Sequence, residues 1–162
     1  MDELARRVGE RLKARSATVV TAESCTGGWV AQAITSVAGS SAWFDRGFIT
    51  YSNDAKRELL GVHAATLAGH GAVSEETARE MARGALERSG ATFAVSVTGI
   101  AGPGGGTPQK PVGTVCFAWA GPADVTSETR RFSGDRESVR RQSVIRALEG
   151  VLERLEGGPQ GG

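Results

Sequence analysis

One stretch constrains this chain more than any other. Residues Ala17 to Ala22 form a short apolar run, Thr21 to Gly28 read Thr-Ala-Glu-Ser-Cys-Thr-Gly-Gly, and Trp29 to Val37 follow as an amphipathic segment. Strand, tight turn and helix is the order this pattern dictates. Such a turn puts hydroxyls and unpaired backbone N–H groups at a helix start, where developing negative charge is favoured. Two nucleophile candidates, Ser24 and Cys25, stand side by side in it. The plainer reading is an N-cap followed by glycines that permit close packing.

The rest of the chain bounds what that turn can serve. A length of 162 residues, 40% of them hydrophobic and 23% charged, fits one compact α/β domain. The net charge of +1 predicts no nucleic-acid surface. No apolar run approaches a membrane span, and Met1-Asp2-Glu3 does not open a signal peptide. Cys25 and Cys116 sit in unrelated settings, so a reducing cytoplasm is expected, and the scattered histidines and cysteines predict no metal site. Only three of the 19 basic residues are lysine: Lys13, Lys56 and Lys110. A lysine can shed its proton when buried and an arginine cannot, so each of the three merits inspection.

Read in order, Leu4, Val8 and Leu12 mark a first helix over Asp2 to Arg15. Phe48 to Tyr51 have strand chemistry, and Ser52 or Asn53 can cap a helix that Gly61 ends. Val62 to Gly71 read as a helical turn and loop. Ser74 starts a helix to about Arg88. Phe93 to Thr98 form a strand, followed by a glycine- and proline-rich loop to Pro111. Gly113 to Ala120 and Val125 to Phe132 pair as a hairpin, and Ser133 to Asp135 cap a last helix. Helices alternating with strands, closed by a hairpin, predict an α/β fold: a three-layer α/β/α sandwich with a mixed, mostly parallel sheet of about five strands. One domain is expected over 1–156, with a disordered tail over 157–162.

A serine nucleophile needs a base. His63 and His70 flank a loop and read as solvated. Tyr51 ends a predicted strand, and Lys56 follows on the next helix. If that strand neighbours the first one, both converge on Ser24, and a desolvated Lys56 could be neutral. Cys25 competes as the intrinsically better nucleophile, or else is a small buried hydrophobe. Thr98 to Gly106 follow a strand with backbone amides able to line an anion or carboxamide site, although the loop is neither a Walker A motif nor a dinucleotide fingerprint. Arg136, Arg140 and Arg141 cluster at a helix start, which suggests an anionic partner or a solvated face.

Six motifs in order carry a resemblance: Thr21–Gly28, Ala38-Gly39-Ser40-Ser41, Tyr51-Ser52-Asn53, Gly71-Ala72-Val73-Ser74, Thr98-Gly99-Ile100-Ala101-Gly102-Pro103 and Lys110-Pro111-Val112-Gly113-Thr114-Val115. Together they resemble the CinA C-terminal domain family, in its stand-alone bacterial form, over nearly the whole chain. The resemblance implies hydrolysis of nicotinamide mononucleotide to nicotinate mononucleotide and ammonia in pyridine-nucleotide salvage. It implies Ser24 as nucleophile, assisted by Tyr51 and Lys56, with no cofactor. It also implies a three-layer fold and a homo-oligomer, a homodimer first. Substrate-binding positions expected on this basis are Thr26, Gly27, Gly28, Ser40, Thr98, Gly99, Ala101, Gly102, Arg136 and Arg140. Amides over Thr26 to Gly28 would hold the oxyanion, and the Gly99–Gly102 loop with Arg136 or Arg140 the ribose and phosphate. The alternatives are a mononucleotide-binding module without turnover and a Cys25 hydrolase acting on another amide.

Overall fold

The computed structural model describes residues 1–157. The chain runs α1 (Asp2–Ala14), β1 (Val19–Glu23), α2 (Trp29–Thr35), a 3-10 turn (Ser40–Ala42), β2 (Phe44–Ile49), α3 (Asn53–Leu60) and α4 (Ala64–His70). It continues through α5 (Glu75–Glu87), β3 (Phe93–Gly99), β4 (Thr114–Ala120), β5 (Val125–Arg131) and α6 (Arg136–Gly157). The five strands form one sheet in the order β2-β1-β3-β4-β5. β1 pairs parallel with both β2 and β3, whereas β3–β4 and β4–β5 are antiparallel. Four strands therefore share a direction and β4 alone is reversed, so the expected mixed sheet is present, although its pairings divide evenly.

Strand period and burial explain the layers. In β1, Val19 faces α1, α2 and α6, while Val20 and Ala22 face α3 and α5. Phe117 and Trp119 of β4 face the first group, and Cys116, Ala118 and Ala120 the second. Covering both faces lets the central strands be buried along their whole lengths. The hydroxyl of Ser52 caps α3, and Gly61, at φ 70°, ends it. The segment read as a turn and loop contains α4. α2 stops at Thr35, two residues short of Val37, where Thr35 and Ser36 hydroxyls bond back to the Ala31 and Ala33 carbonyls. α6 includes Gly157, the first residue expected in the tail; residues 158–162 lie outside the described part of the chain.

The faces pack tightly where α3 crosses α5. A methyl group on Gly84 would collide with the backbone carbonyl of Leu60, which cannot swing aside. Gly84→Ala is expected to cost about 1–3 kcal/mol in urea unfolding, the usual range for overpacking. An unchanged midpoint would contradict this account of the α3–α5 crossing.

The topology gathers one rim. The carboxyl ends of β1, β2 and β3, the start of β4, the end of β5 and the start of α6 all lie on the same side of the sheet. Crevices outside the carboxyl ends of parallel strands are where open α/β sheets bind ligands.

Candidate active site

β1 delivers Ser24 to this rim. The Ser24 amide donates to the Val97 carbonyl at 2.9 Å, continuing the β1–β3 ladder by one residue, and the Gly27 amide returns to the Ser24 carbonyl at 3.0 Å. Gly27 and Gly28 have φ of 60° and 106°, conformations that explain why two glycines follow Thr26. From the neighbouring strand the chain passes through Thr50 and Tyr51 into α3. Lys56, one turn in, points back beneath Ser24 and is 1% exposed. Its Nζ lies 3.0 Å from Ser24 Oγ and donates to the carbonyls of Thr50 (2.8 Å) and Tyr51 (3.4 Å). Among the described residues no carboxylate pairs with it. Burial pushes the Lys56 amine down to about 8, with the neighbouring Cys25 opposing slightly. A lysine so placed can be neutral near physiological pH and take a proton from the serine.

The turn itself is held by opposite charges. Glu23, 1% exposed, accepts from the Thr26 hydroxyl at 2.6 Å and from the amides of Gly28, Val30 and Ala31 at 3.2, 2.9 and 3.0 Å. From the other side Arg140 donates to the carbonyls of Cys25 and Thr26, both at 3.1 Å. The expected oxyanion donors over Thr26 to Gly28 must be revised accordingly. Gly28 is committed to Glu23 and Gly27 to Ser24, so among the described residues the uncommitted amides are those of Cys25 and Thr26.

A cleft of about 270 Å³ opens beside the turn, lined by Cys25, Tyr51, Gly99 to Gly102, Gly104, Gly105 and Arg136. Arg136 spans its mouth, donating to the Gly102 carbonyl at 2.7 Å and to the Tyr51 hydroxyl at 3.2 Å. Tyr51 is 62% exposed, and its phenol touches Arg136 rather than Ser24 or Lys56. Gly99 admits no side chain, because a Cβ there would press on Val115 and the Thr114 carbonyl. Thr98 is buried and spends its hydroxyl on the Ala72 carbonyl, 2.9 Å away. A larger groove of about 550 Å³, near Phe93, Trp119 and Pro122, lies at the opposite end of the sheet.

The family model for the CinA C-terminal domain matches residues 1–155. The chain belongs to the CinA C-terminal domain family. It is 61% identical to nicotinamide-nucleotide amidohydrolase PncC of Escherichia coli K12, the alignment covering 94% of this chain and 93% of that protein. Its fold matches the competence/damage inducible protein CihA of Agrobacterium tumefaciens with a TM-score of 0.92, at 52% identity and 93% coverage of both chains. Competence damage-inducible protein A of Klebsiella pneumoniae superposes with a TM-score of 0.94, at 42% identity and 98% coverage of both.

Within this CinA-family fold, the expected site residues separate into two groups. Ser24, Lys56, Tyr51, Thr26, Gly27, Gly28, Thr98, Gly99, Ala101, Gly102, Arg136 and Arg140 all come to the one rim. Ser40 does not. It precedes Trp43, whose carbonyl takes the Val19 amide at the amino end of β1, so it sits across the sheet from Ser24. His63 and His70 are engaged elsewhere, near Glu80 (3.1 Å) and Glu76 (3.6 Å). Cys25 is 6% exposed, and burial pushes its thiol up to about 12, so it stays protonated at neutral pH. Glu23 is the residue that sequence reading passed over. Its signal was available: a carboxylate immediately before a turn rich in unpaired amides is placed to accept from them.

Proposed function

We propose that this chain is a nicotinamide-nucleotide amidohydrolase, converting nicotinamide mononucleotide and water to nicotinate mononucleotide and ammonia. The observation that carries the reading is the 3.0 Å contact between Ser24 Oγ and a buried, carboxylate-free Lys56. The similarity to PncC over nearly the full length of both proteins supplies the substrate.

Ser24 Oγ attacks the carboxamide carbon while its proton passes directly to neutral Lys56 Nζ. The amides of Cys25 and Thr26 receive the oxyanion, the kind of contact often worth about 3 kcal/mol per donor. Collapse of the intermediate breaks the C–N bond, and the Lys56 proton leaves with the amine as ammonia. The nicotinoyl ester left on Ser24 is then attacked by water, with Lys56 again taking the proton and returning it to Ser24. The phenol of Tyr51 orients Arg136 at the cleft mouth, and Arg136 and the Gly99–Gly102 loop face the ribose and phosphate. On this reading residues 1–156 act as one domain, in cytoplasmic pyridine-nucleotide salvage, as a homodimer. Among the described residues no helix is long and apolar enough to cross a membrane.

The test is ammonia release from nicotinamide mononucleotide, with nicotinate mononucleotide identified as the product. Folded protein that binds the nucleotide without turnover would replace this reading with a binding module. Cys25→Ala is expected to retain turnover within a few-fold, because a thiol held protonated contributes packing rather than a nucleophile. Loss of turnover in well-folded Cys25→Ala would move the nucleophile to the cysteine.

A further inference from the structure

Arg140 stands in the second turn of α6, beside the cleft that Arg136 spans, where a phosphate ligand could be sought. Its contacts point elsewhere. Nε and Nη2 both donate into the nucleophile turn, to the carbonyls of Cys25 and Thr26. The guanidinium also lies over the Trp29 ring, 5.4 Å from its centroid, a second contact that holds it in place. We propose that Arg140 is a positioning residue for the oxyanion donor, and that it does not bind the substrate phosphate. The proposal rests on the amidohydrolase reading and assigns a role within that site.

The Cys25 carbonyl shares its peptide group with the Thr26 amide, one of the two uncommitted donors beside Ser24. A charged donor on that carbonyl enlarges the peptide dipole and strengthens the N–H at its other end, as in any chain of hydrogen bonds. The Thr26 carbonyl shares its peptide with the Gly27 amide, which closes the turn onto the Ser24 carbonyl. One arm of Arg140 thus sharpens the free donor, and the other tightens the turn that aims it. Glu23 holds the opposite side through the Thr26 hydroxyl and three amides. The turn is fixed between an anion on its amides and a cation on its carbonyls, so its donors need no reorganisation when charge develops. Nη1 is the one Arg140 nitrogen without a partner among the described residues, so phosphate binding is the outcome the test must separate.

The variants are Arg140→Met and Arg140→Lys, compared with wild type in two assays. The first is kcat and KM for ammonia release from nicotinamide mononucleotide. The second is the rate at which a fluorophosphonate labels Ser24, which draws on the same oxyanion donors without any nucleotide. Arg140→Met is expected to lower kcat about 10- to 100-fold with KM within about twofold, and to slow labelling by a similar factor. Arg140→Lys, able to keep one of the two bonds, should recover part of both, and it carries the test alone if Arg140→Met fails to fold. A raised KM with kcat and labelling unchanged would make Arg140 a phosphate ligand and overturn the proposal. Unchanged values throughout would also overturn it. Wild type that is labelled but releases no ammonia would sink the amidohydrolase reading alone, and the labelling comparison would still decide Arg140. Wild type that neither releases ammonia nor takes the label would overturn both.

Discussion

Ser24→Ala is expected to abolish ammonia release from nicotinamide mononucleotide, with kcat falling on the order of ten-thousand-fold or more, as for other nucleophile deletions. The protein should remain folded. Among the described residues Ser24 Oγ hydrogen-bonds only with the Lys56 amine, while the backbone bonds that fix the turn run through its amide and carbonyl. Losing one hydroxyl contact of this kind costs about 1 kcal/mol, small beside the stability of a typical domain. The cleft keeps its lining, so nucleotide binding should survive the loss of turnover. Residual activity close to wild type in folded Ser24→Ala would remove the serine from the chemistry.

Lys56→Met should separate catalysis from stability in the opposite sense. Without its base, Ser24 loses the partner that takes its proton, and kcat should drop about a hundred- to ten-thousand-fold. The fold should not suffer at pH 7, because an apolar side chain of similar length replaces an amine that no carboxylate among the described residues pairs with. The pH dependence follows from the direction of the shift. Burial lowers the amine from 10.5 to about 8, so the unfolded chain binds this proton more tightly than the native one. Below about pH 8 both states are protonated and the native state carries the full cost. Between about 8 and 10.5 the unfolded state holds the extra proton, and this lysine's contribution to stability rises with pH. Urea unfolding of wild type and Lys56→Met at pH 7 and pH 10 should show that rise in wild type only. The same group sets the rate: kcat/KM of wild type should climb about tenfold from pH 6 to 7 and level off above about pH 8. A flat profile over that range would exclude Lys56 as the base.

How much of this was legible in the sequence depends on how local each feature is. The strand, the Gly27-Gly28 turn and the caps at Ser52, Gly61 and Ser74 are decided by residues a few positions apart, and they were readable. The chain's scarcity of lysine pointed to Lys56. Its meeting with Ser24 depended on β2 lying beside β1, which no local pattern specifies; the parallel β1–β2 pairing supplies it. The same non-local dependence hid the contacts of Arg140, because the carbonyls it reaches are more than a hundred residues away in sequence. Tyr51 lies two residues past the end of β2 rather than ending the strand, and the direction of its phenol depends on where α6 begins. Ser40 is expected in the site only because the resemblance runs through Ala38 to Ser41. A helix leaving the rim must end on the far side of the sheet, and Ser40 ends up there. The Gly28 amide, expected among the oxyanion donors, is taken by the buried Glu23 carboxylate.

The central claim is a covalent one, that the nicotinoyl group passes through an ester on Ser24. The direct measurement is acid quenching of wild type during turnover of nicotinamide mononucleotide, followed by peptide mass spectrometry. The account predicts the nicotinoyl mononucleotide adduct on the peptide bearing Ser24, absent from Ser24→Ala. An adduct on Cys25, or steady turnover under conditions that slow deacylation with no adduct on the chain, would contradict it.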